Sequence, residues 1–355
     1  MKAVIFEGSG QEGVTLREVP KAGIEEPTDA LIRVVRACVC GSDLWYYRGL
    51  TDKKAGSTLG HEAIGVVEEV GPEVHGARPG DFVIVPFPFS CGTCPVCRAG
   101  FESGCPRGGF FGSDPGMGCQ AEYLRVPLAD GTLVVVPGGS ERARGFSEEM
   151  LDDLLTLSDV MATGYHAAAS AEVRQGDTAV VIGDGAVGLC GVLAARLRGA
   201  DRIVAMSRHE DRQRLAEAFG ATDIIPERGQ EGVDRVMELT GGYGADAILE
   251  CVGSAQAFQT ALDIARPGAI IGRVGVPHDV TIPPDRTFYK NIGLRGGSAP
   301  VRSYDLGGLL DQVLQGQIHP GRVFTASFDL DHIGQAYEAM DRRQAIKSLI
   351  RVSEV

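Results

Sequence analysis

Residues 178–200 read TAVVIGDGAVGLCGVLAARLRGA, and the architecture of half the chain follows from them. An apolar, β-rich run leads into Gly183, Gly185 and Gly188 at G-x-G-x-x-G spacing, with Ala186 and Val187 completing the turn. A helical pattern then places Leu189, Val192, Leu193 and Leu197 on one face. Glycines alone say little in a chain that has 49 of them. A strand, a glycine turn and a helix in that order are the context that makes the motif a dinucleotide site. The glycines permit a tight turn and close backbone approach to a pyrophosphate, whose charge a helix N-terminus stabilises.

Downstream the pattern repeats. DRIVAMS is a short apolar strand, DRQRLAEAFGA a helix with a glycine stop, ADAILECVG a strand, AFQTALDIARPGA a helix and IIGRVGV a further strand. Strands alternating with helices predict an α/β fold with a parallel, doubly wound sheet. The predicted nucleotide domain covers residues 159–300. Upstream, DALIRVV, AIGVVEEV, DFVIVP and TLVVVP are short β patterns broken by Gly and Pro, which predict a β-rich lobe. The tail from 301 carries a helix and then a strand in FDLDHIGQAYEAMDRRQAIKSLIRV, and either lobe could take it. GLRGGSAPV at 293–301 reads equally as an interface strand or a loop. There is no internal repeat or low-complexity tract.

The 355 residues, 44 % of them hydrophobic, suffice for about two domains with ordinary cores. A formal charge of −13 argues against nucleic-acid and anionic-membrane partners, which attract basic surfaces. The N-terminus MKAVIFEGSGQEGV lacks a secretory pattern and no long apolar segment occurs, so the cytoplasm is the expected location. Thiols stay reduced there, and clustered cysteines more often hold metal than each other.

CGTCPVCRAGFESGC at 91–105 supplies Cys91, Cys94, Cys97 and Cys105. Four thiolates make the closed, four-coordinate shell of structural zinc, with an iron–sulfur cluster as the lesser alternative. Such a shell has no open position, so this lobe is not the expected active site. A second, dispersed set comprises Cys40, Ser42 and Asp43 in CVCGSD, His61 and Glu62 in GHEAIGVVEEVG, and Asp159 and Thr163 in LSDVMATGYHAA. Taken singly, each reads as a buried thiol or a satisfied histidine. Together a cysteine, a histidine and one carboxylate, Asp159 or Glu62, form a three-ligand zinc shell with a fourth position open for chemistry. The other cysteines read as buried apolar residues.

An NAD site carries an acid about twenty residues beyond its first glycine, on the ribose 2′-hydroxyl. Here the strand IVAM ends in Ser207, Arg208 and His209, with Arg212 one turn on, and no acid stands at that position. A hydroxyl and guanidinium groups can bond a 2′-phosphate that a carboxylate would repel, which predicts NADP(H) over NAD(H). The competing reading makes Arg208 and Arg212 solvated charges pairing with Glu210 or Asp211.

CGSD at 40–43, GHEAIGVV at 60–67, the four-cysteine lobe and GDGAVG at 183–188 make the whole chain resemble the zinc-dependent alcohol dehydrogenases of the medium-chain dehydrogenase/reductase superfamily. The resemblance implies a GroES-like β-rich catalytic domain from residues 1–158 and 301–355, around a Rossmann domain. It implies two zinc ions per chain, one on Cys40, His61 and Asp159, the other on the four cysteines. Glu62 would approach the first transiently, Asp43 would orient His61, and Ser42 would pass on the substrate proton. Thr163 would lie beside the nicotinamide, Lys347 near the pyrophosphate, and the backbone of Val274 and Val276 at the carboxamide. Trp45 replaces the histidine that ends the proton relay in many relatives. Indole cannot take up and release a proton near neutral pH, so Trp45, with Tyr46 and Tyr47, is read as pocket wall or core packing.

The activity implied is hydride transfer between a small alcohol, aldehyde or ketone and NADP(H) in a homodimer or homotetramer. A polyol or sugar dehydrogenase shares these ligands. A zinc-free reductase, or a non-catalytic nucleotide-binding redox sensor, would have no need of the Cys40, His61 and Asp159 set.

Overall fold

The computed structural model describes residues 1–10, 13–113 and 116–355. The chain divides into two compact units, Met1–Asp159 with Pro300–Val355, and Val160–Ala299. Asp159 therefore closes the first unit instead of opening the second, and Pro300 also belongs to the first.

The second unit is a six-stranded, all-parallel sheet. Its strands lie in the order Asp223–Ile225, Arg202–Met206, Thr178–Ile182, Ala245–Glu250, Ala265–Arg273 and Gly293–Gly296. The sheet reverses direction of growth at Thr178–Ile182, the strand that feeds the glycine turn, as in doubly wound nucleotide folds. Residues on both faces of that strand are buried, Val180 and Ala179 alike, which is why it reads as a continuous apolar run. The strand Asp223–Ile225 and the helix Gly229–Leu239 form a unit that the sequence pattern did not single out. The strand is only three residues long, and the helix is apolar on one narrow face. Gly293–Gly296 is a strand at the sheet edge, which resolves the open reading of that segment.

The first unit is built on a seven-stranded sheet. Ala30–Val39 lies at its centre and pairs with Ala63–Val70, Tyr123–Val126 and Lys347–Arg351, all antiparallel. Phe82–Val85 and Val134–Val136 extend it on one side, and Phe324–Asp329 on the other. The chain's last strand thus returns to the first lobe. Its core gathers Val34, Val39, Val83, Leu124, Tyr337 and Ile350, all buried.

Where two backbones meet, only glycine fits. A Cβ on Gly188 would stand 1.9 Å from the carbonyl oxygen of Gly183, the residue that takes φ +115° to start the turn. Gly188→Ala is expected to cost about 3 kcal/mol of stability through this clash. A urea midpoint equal to that of the wild type would show that the turn can yield.

The helix Glu148–Thr156 carries two adjacent carboxylates, Asp152 and Asp153, both pushed up to about 6 by burial. Asp153 is compensated by the Gly321 amide and the His319 ring, whereas Asp152 Oδ1 has no partner. A raised folded-state carboxyl pKa means that stability falls as pH climbs from about 4 through 6, because ionisation costs more in the folded chain. Asp152→Asn should therefore add about 1 kcal/mol at pH 7.5, a figure reduced for partial solvent screening, and nothing near pH 3.5. Thermal melts at the two pH values check this, and an equal gain at both would contradict it.

Candidate active site and metal centres

Two groups of donor atoms are each drawn together within 4.8 Å: Cys91, Cys94, Cys97 and Cys105, and Cys40, His61, Glu62 and Asp159. In the first, the turn after Cys91 and the short helix Pro95–Arg98 aim backbone amides at sulfur. Cys94 N donates to Cys91 Sγ, Cys97 N to Cys94 Sγ and Cys91 N to Cys105 Sγ, each at 3.4 Å. Burial pushes the Cys91 thiol up, but such amide donors outweigh it and bring it down to about 5. Burial and a bond from Cys94 push Cys97 up to about 12. The Sγ–Sγ separations include 3.4 Å (Cys94–Cys97), 3.5 Å (Cys91–Cys105), 3.9 Å (Cys91–Cys97) and 4.0 Å (Cys94–Cys105). A zinc–sulfur length of about 2.3 Å gives a tetrahedral edge of about 3.8 Å, in the middle of that range. These sulfurs fit a single tetrahedral ion. In an iron–sulfur cluster the thiolates sit on different irons and stand farther apart. Every cysteine of the chain is a free thiol.

The second group comes from three places in the chain. Cys40 follows the central strand, His61 and Glu62 precede the strand Ala63–Val70, and Asp159 lies beyond the helix Glu148–Thr156. The segment before Asp159 is pinned by the Phe87 amide, which donates to Ser158 O at 2.9 Å. His61 Nε2 lies 3.5 Å from Asp159 Oδ2 and 3.8 Å from Glu62 Oε1, and Cys40 Sγ lies 3.8 Å from Asp159 Oδ2. Asp43 braces two members of the group at once. Its Oδ2 accepts from the Cys40 amide at 2.9 Å, and its Oδ1 faces His61 Nδ1 at 3.5 Å, so the other ring nitrogen points at the donors. Glu62 Oε2 is buried without a hydrogen-bond partner. An orphaned carboxylate oxygen among Cys, His and Asp donors is what a missing cation leaves behind.

Several expectations land elsewhere. Lys347 is 1 % exposed, with its Nζ donating to Glu62 Oε1 at 2.6 Å and to Val39 O at 3.3 Å. Its charge pairs with a carboxylate of the donor cluster. Tyr47 is a core residue whose ring lies tilted against Tyr337 at 5.6 Å, so it is packing and not pocket wall. Tyr46 packs edge-on against Phe6 at 6.5 Å, and Trp45 is half-buried on the same short helix, Asp43–Tyr47. Ser42 precedes that helix, and its hydroxyl does not cap it.

In the second unit, Gly185 is the cap residue of the helix Ala186–Leu197, and no side chain caps that helix. A Cβ on Gly185 would meet nothing within 4 Å. An uncapped helix N-terminus facing open space suits a pyrophosphate. Thr163 is buried in the helix Val160–Ser170. The Val274 and Gly275 amides both donate to Glu250 O, at 3.0 and 3.1 Å, and Val276 is exposed. At the end of Arg202–Met206, Ser207 Oγ donates to Asp184 Oδ2 at 2.9 Å and Arg212 Nη1 to Asp184 Oδ1 at 3.2 Å. Arg208 is exposed. Arg212 thus pairs with an acid, but with Asp184 of the glycine turn and not with Glu210 or Asp211. Arg228 joins them, donating to Met206 O at 3.1 Å. Asp184 and Arg228 escaped the sequence reading because each belongs to a different loop from Ser207. Asp184 stood in plain view inside GDGAVG.

Together these features define a nicotinamide-linked oxidoreductase with one closed and one open metal shell. Residues 26–138 match the alcohol dehydrogenase GroES-like domain, and residues 186–314 the zinc-binding dehydrogenase family. Zinc-type alcohol dehydrogenase B of Aspergillus flavus is 35 % identical across 100 % of this chain and 82 % of its own length. An NADP-dependent isopropanol dehydrogenase of Clostridium beijerinckii is 34 % identical over 77 % of this chain and 76 % of its own. The structure of an alcohol dehydrogenase from Thermus sp. ATN1 superposes with a TM-score of 0.88, covering 99 % of this chain and 100 % of that one at 36 % identity. The chain belongs to the zinc-dependent alcohol dehydrogenases of the medium-chain dehydrogenase/reductase superfamily.

Cys94→Ser should remove one metal equivalent from purified protein and lower the melting temperature, because a structural site contributes binding energy to folding. Metal analysis beside a thermal melt checks it. Full metal content in the variant would place the ion elsewhere.

Proposed function

We propose that the protein oxidises a small alcohol to the aldehyde or ketone, and catalyses the reverse reduction, with NADP(H) as the preferred cofactor. The observation that carries this reading is the convergence of Cys40, His61 and Asp159 around one point, with Glu62 as a fourth, differently held donor. Zinc on Cys40, His61 and Asp159 would supply Lewis acidity toward the substrate oxygen, and the nicotinamide the hydride acceptor. Ser42, two residues beyond Cys40 and with its hydroxyl not spent on a cap, takes the alcohol proton. Asp43 fixes the His61 tautomer so that the metal-facing nitrogen carries the lone pair. Glu62, held by Lys347, is the acid able to exchange onto the metal when a ligand leaves. Trp45 cannot continue the relay, so the proton passes from Ser42 to water or the cofactor ribose.

In the nucleotide domain, Gly183, Gly185, Ala186, Val187 and Gly188 form the pyrophosphate turn. Thr163 flanks the nicotinamide, and the backbone at Val274 and Val276 meets its carboxamide. Ser207, Arg208 and Arg212 are the proposed 2′-phosphate ligands, supported by the NADP dependence of the Clostridium relative and by a third guanidinium, Arg228, at the same strand end. Cysteines that are all free suit a reducing cytoplasm, and no helix among the described residues is long and apolar enough to cross a membrane. The edge strand Gly293–Gly296 offers backbone groups for pairing with a second copy in a homodimer or homotetramer.

Cys40→Ala should lower kcat for alcohol oxidation by at least about 10³-fold while leaving NADP+ binding within about threefold, since Lewis-acid stabilisation is worth several kcal/mol. Steady-state rates with calorimetric cofactor binding test this, and near-wild-type turnover would refute the assignment. The same assays on wild-type protein give kcat/KM for NADP+ and NAD+, and a preference for NAD+ would overturn the cofactor reading.

A further inference from the structure

The acid missing after the second strand of the nucleotide fold is present in space. Asp184 sits between Gly183 and Gly185, and its carboxylate reaches across to the end of Arg202–Met206. There it accepts from Ser207 Oγ at 2.9 Å and from Arg212 Nη1 at 3.2 Å, while its main-chain oxygen accepts from Arg212 Nη1 at 3.3 Å. Ser207 is the residue at which a ribose-binding acid is expected, and it is fully buried and held on both backbone sides. Its amide donates to Ile225 O at 3.1 Å, and its carbonyl accepts from Gln213 Nε2 at 2.8 Å. The hydroxyl therefore marks a fixed point, and a carboxylate lies one hydrogen bond from it.

Arg212 contacts that carboxylate, and Arg228, which donates to Met206 O at 3.1 Å, feels the charges of both Asp184 and Arg208. Glu210 is drawn away toward Arg214 at 3.7 Å. The locality is cationic overall, as a 2′-phosphate requires, but its innermost group is an anion that a 2′-phosphate would have to face. A ribose 2′-hydroxyl, by contrast, could donate to that anion as it does to the usual strand-end acid.

We propose that Asp184 is the specificity-determining residue of the cofactor site. From the glycine turn it offers a carboxylate to a ribose 2′-hydroxyl, and by holding Ser207 and Arg212 it limits, without reversing, the preference for a 2′-phosphate that those residues and Arg208 confer. The inference rests on the nicotinamide-dependent function proposed above, but not on which cofactor the wild type prefers. With Asp184 in place, discrimination between the cofactors is shallow. Without it, Ser207, Arg208 and Arg212 face the phosphate unopposed.

The test uses purified wild type, Asp184→Asn and Asp184→Ser, with calorimetric binding of adenosine 2′,5′-bisphosphate and adenosine 5′-monophosphate as probes without a nicotinamide. Removing the like charge should tighten the bisphosphate roughly tenfold and weaken the monophosphate several-fold, so the ratio moves in one direction. The kcat/KM ratio for NADP+ over NAD+ should rise in parallel, with the change in KM. Equal weakening of both probes, or an unchanged ratio in both variants, would mean that Asp184 only braces the turn, and the inference would fall. Should Asp184→Asn fold poorly by thermal melt, the serine variant, which keeps a hydroxyl acceptor near Ser207, decides. A wild type that binds the monophosphate tighter, with the order reversed in the variant, would sink the NADP reading and uphold this one. A wild type that prefers the bisphosphate, with no shift in either variant, would do the opposite.

Discussion

The antiparallel register of the strand Ala30–Val39 is the constraint from which the catalytic unit follows. Val39 lies opposite Ser348 on one side, and Ala37 opposite Ala63 on the other. In an antiparallel pair one strand advances as its partner recedes. One step past these pairs therefore brings Cys40 level with Lys347, and Cys38 level with Glu62. Residues from the first, second and last parts of the chain are collected at one end of a single sheet before any side chain makes a contact. A slip of one residue would turn each strand's side chains to the opposite face and scatter the group. Near-complete burial of Val34, Val39, Ala63 and Ile350 holds the register in place.

How legible these features were in the sequence depended on how local their causes are. The glycine turn and the four-cysteine lobe each lie within about twenty residues, so spacing alone carried the geometry, down to sulfur separations that suit one tetrahedral ion. Cys40 and Asp159 stand 119 positions apart. Nothing in periodicity joins them: their residue types suggested a three-ligand shell that left Asp159 and Glu62 as alternatives, and only the resemblance chose Asp159. Asp184 was missed for a different reason. The search for a ribose acid followed the chain to the end of the second strand, whereas the fold supplies one from a neighbouring loop. Lys347 was placed near the pyrophosphate by the family resemblance alone, and no local pattern could reveal its ion pair with Glu62. Strand pairing puts it beside Glu62.

The two metal groups also differ in how the fold presents them. Around the four cysteines, backbone amides point at sulfur, and the donors are all of one kind, which suits an ion that stays in place. Around Cys40 the donors are mixed. One of them, Glu62, is shared with Lys347, so the shell has a member that can be engaged or withheld. Asp43 stands behind both Cys40 and His61, coupling their positions through a single side chain. The donors Cys40, His61 and Glu62 are thus set by strand ends and Asp159 by the segment after a helix, and Glu62 is held by a buried cation.

Charge balance explains why this arrangement needs its cation. Asp43, Glu62 and Asp159 are 4 %, 1 % and 8 % exposed, and the Cys40 thiolate would add a fourth negative charge to their three. Lys347, equally buried, offsets one, leaving an excess of three if His61 is neutral. Buried charge of one sign is expensive unless compensated, and the usual escape is protonation. Burial opposes a charge on His61, but the Asp43 carboxylate and the Cys40 thiolate overcome it and raise its affinity for a proton well above the ordinary value. A divalent cation held by Cys40, His61 and Asp159 would offset two of these charges and would require the His61 imidazole to coordinate in its neutral form. The same excess of acids that would strain an empty site thus gives it affinity for the metal.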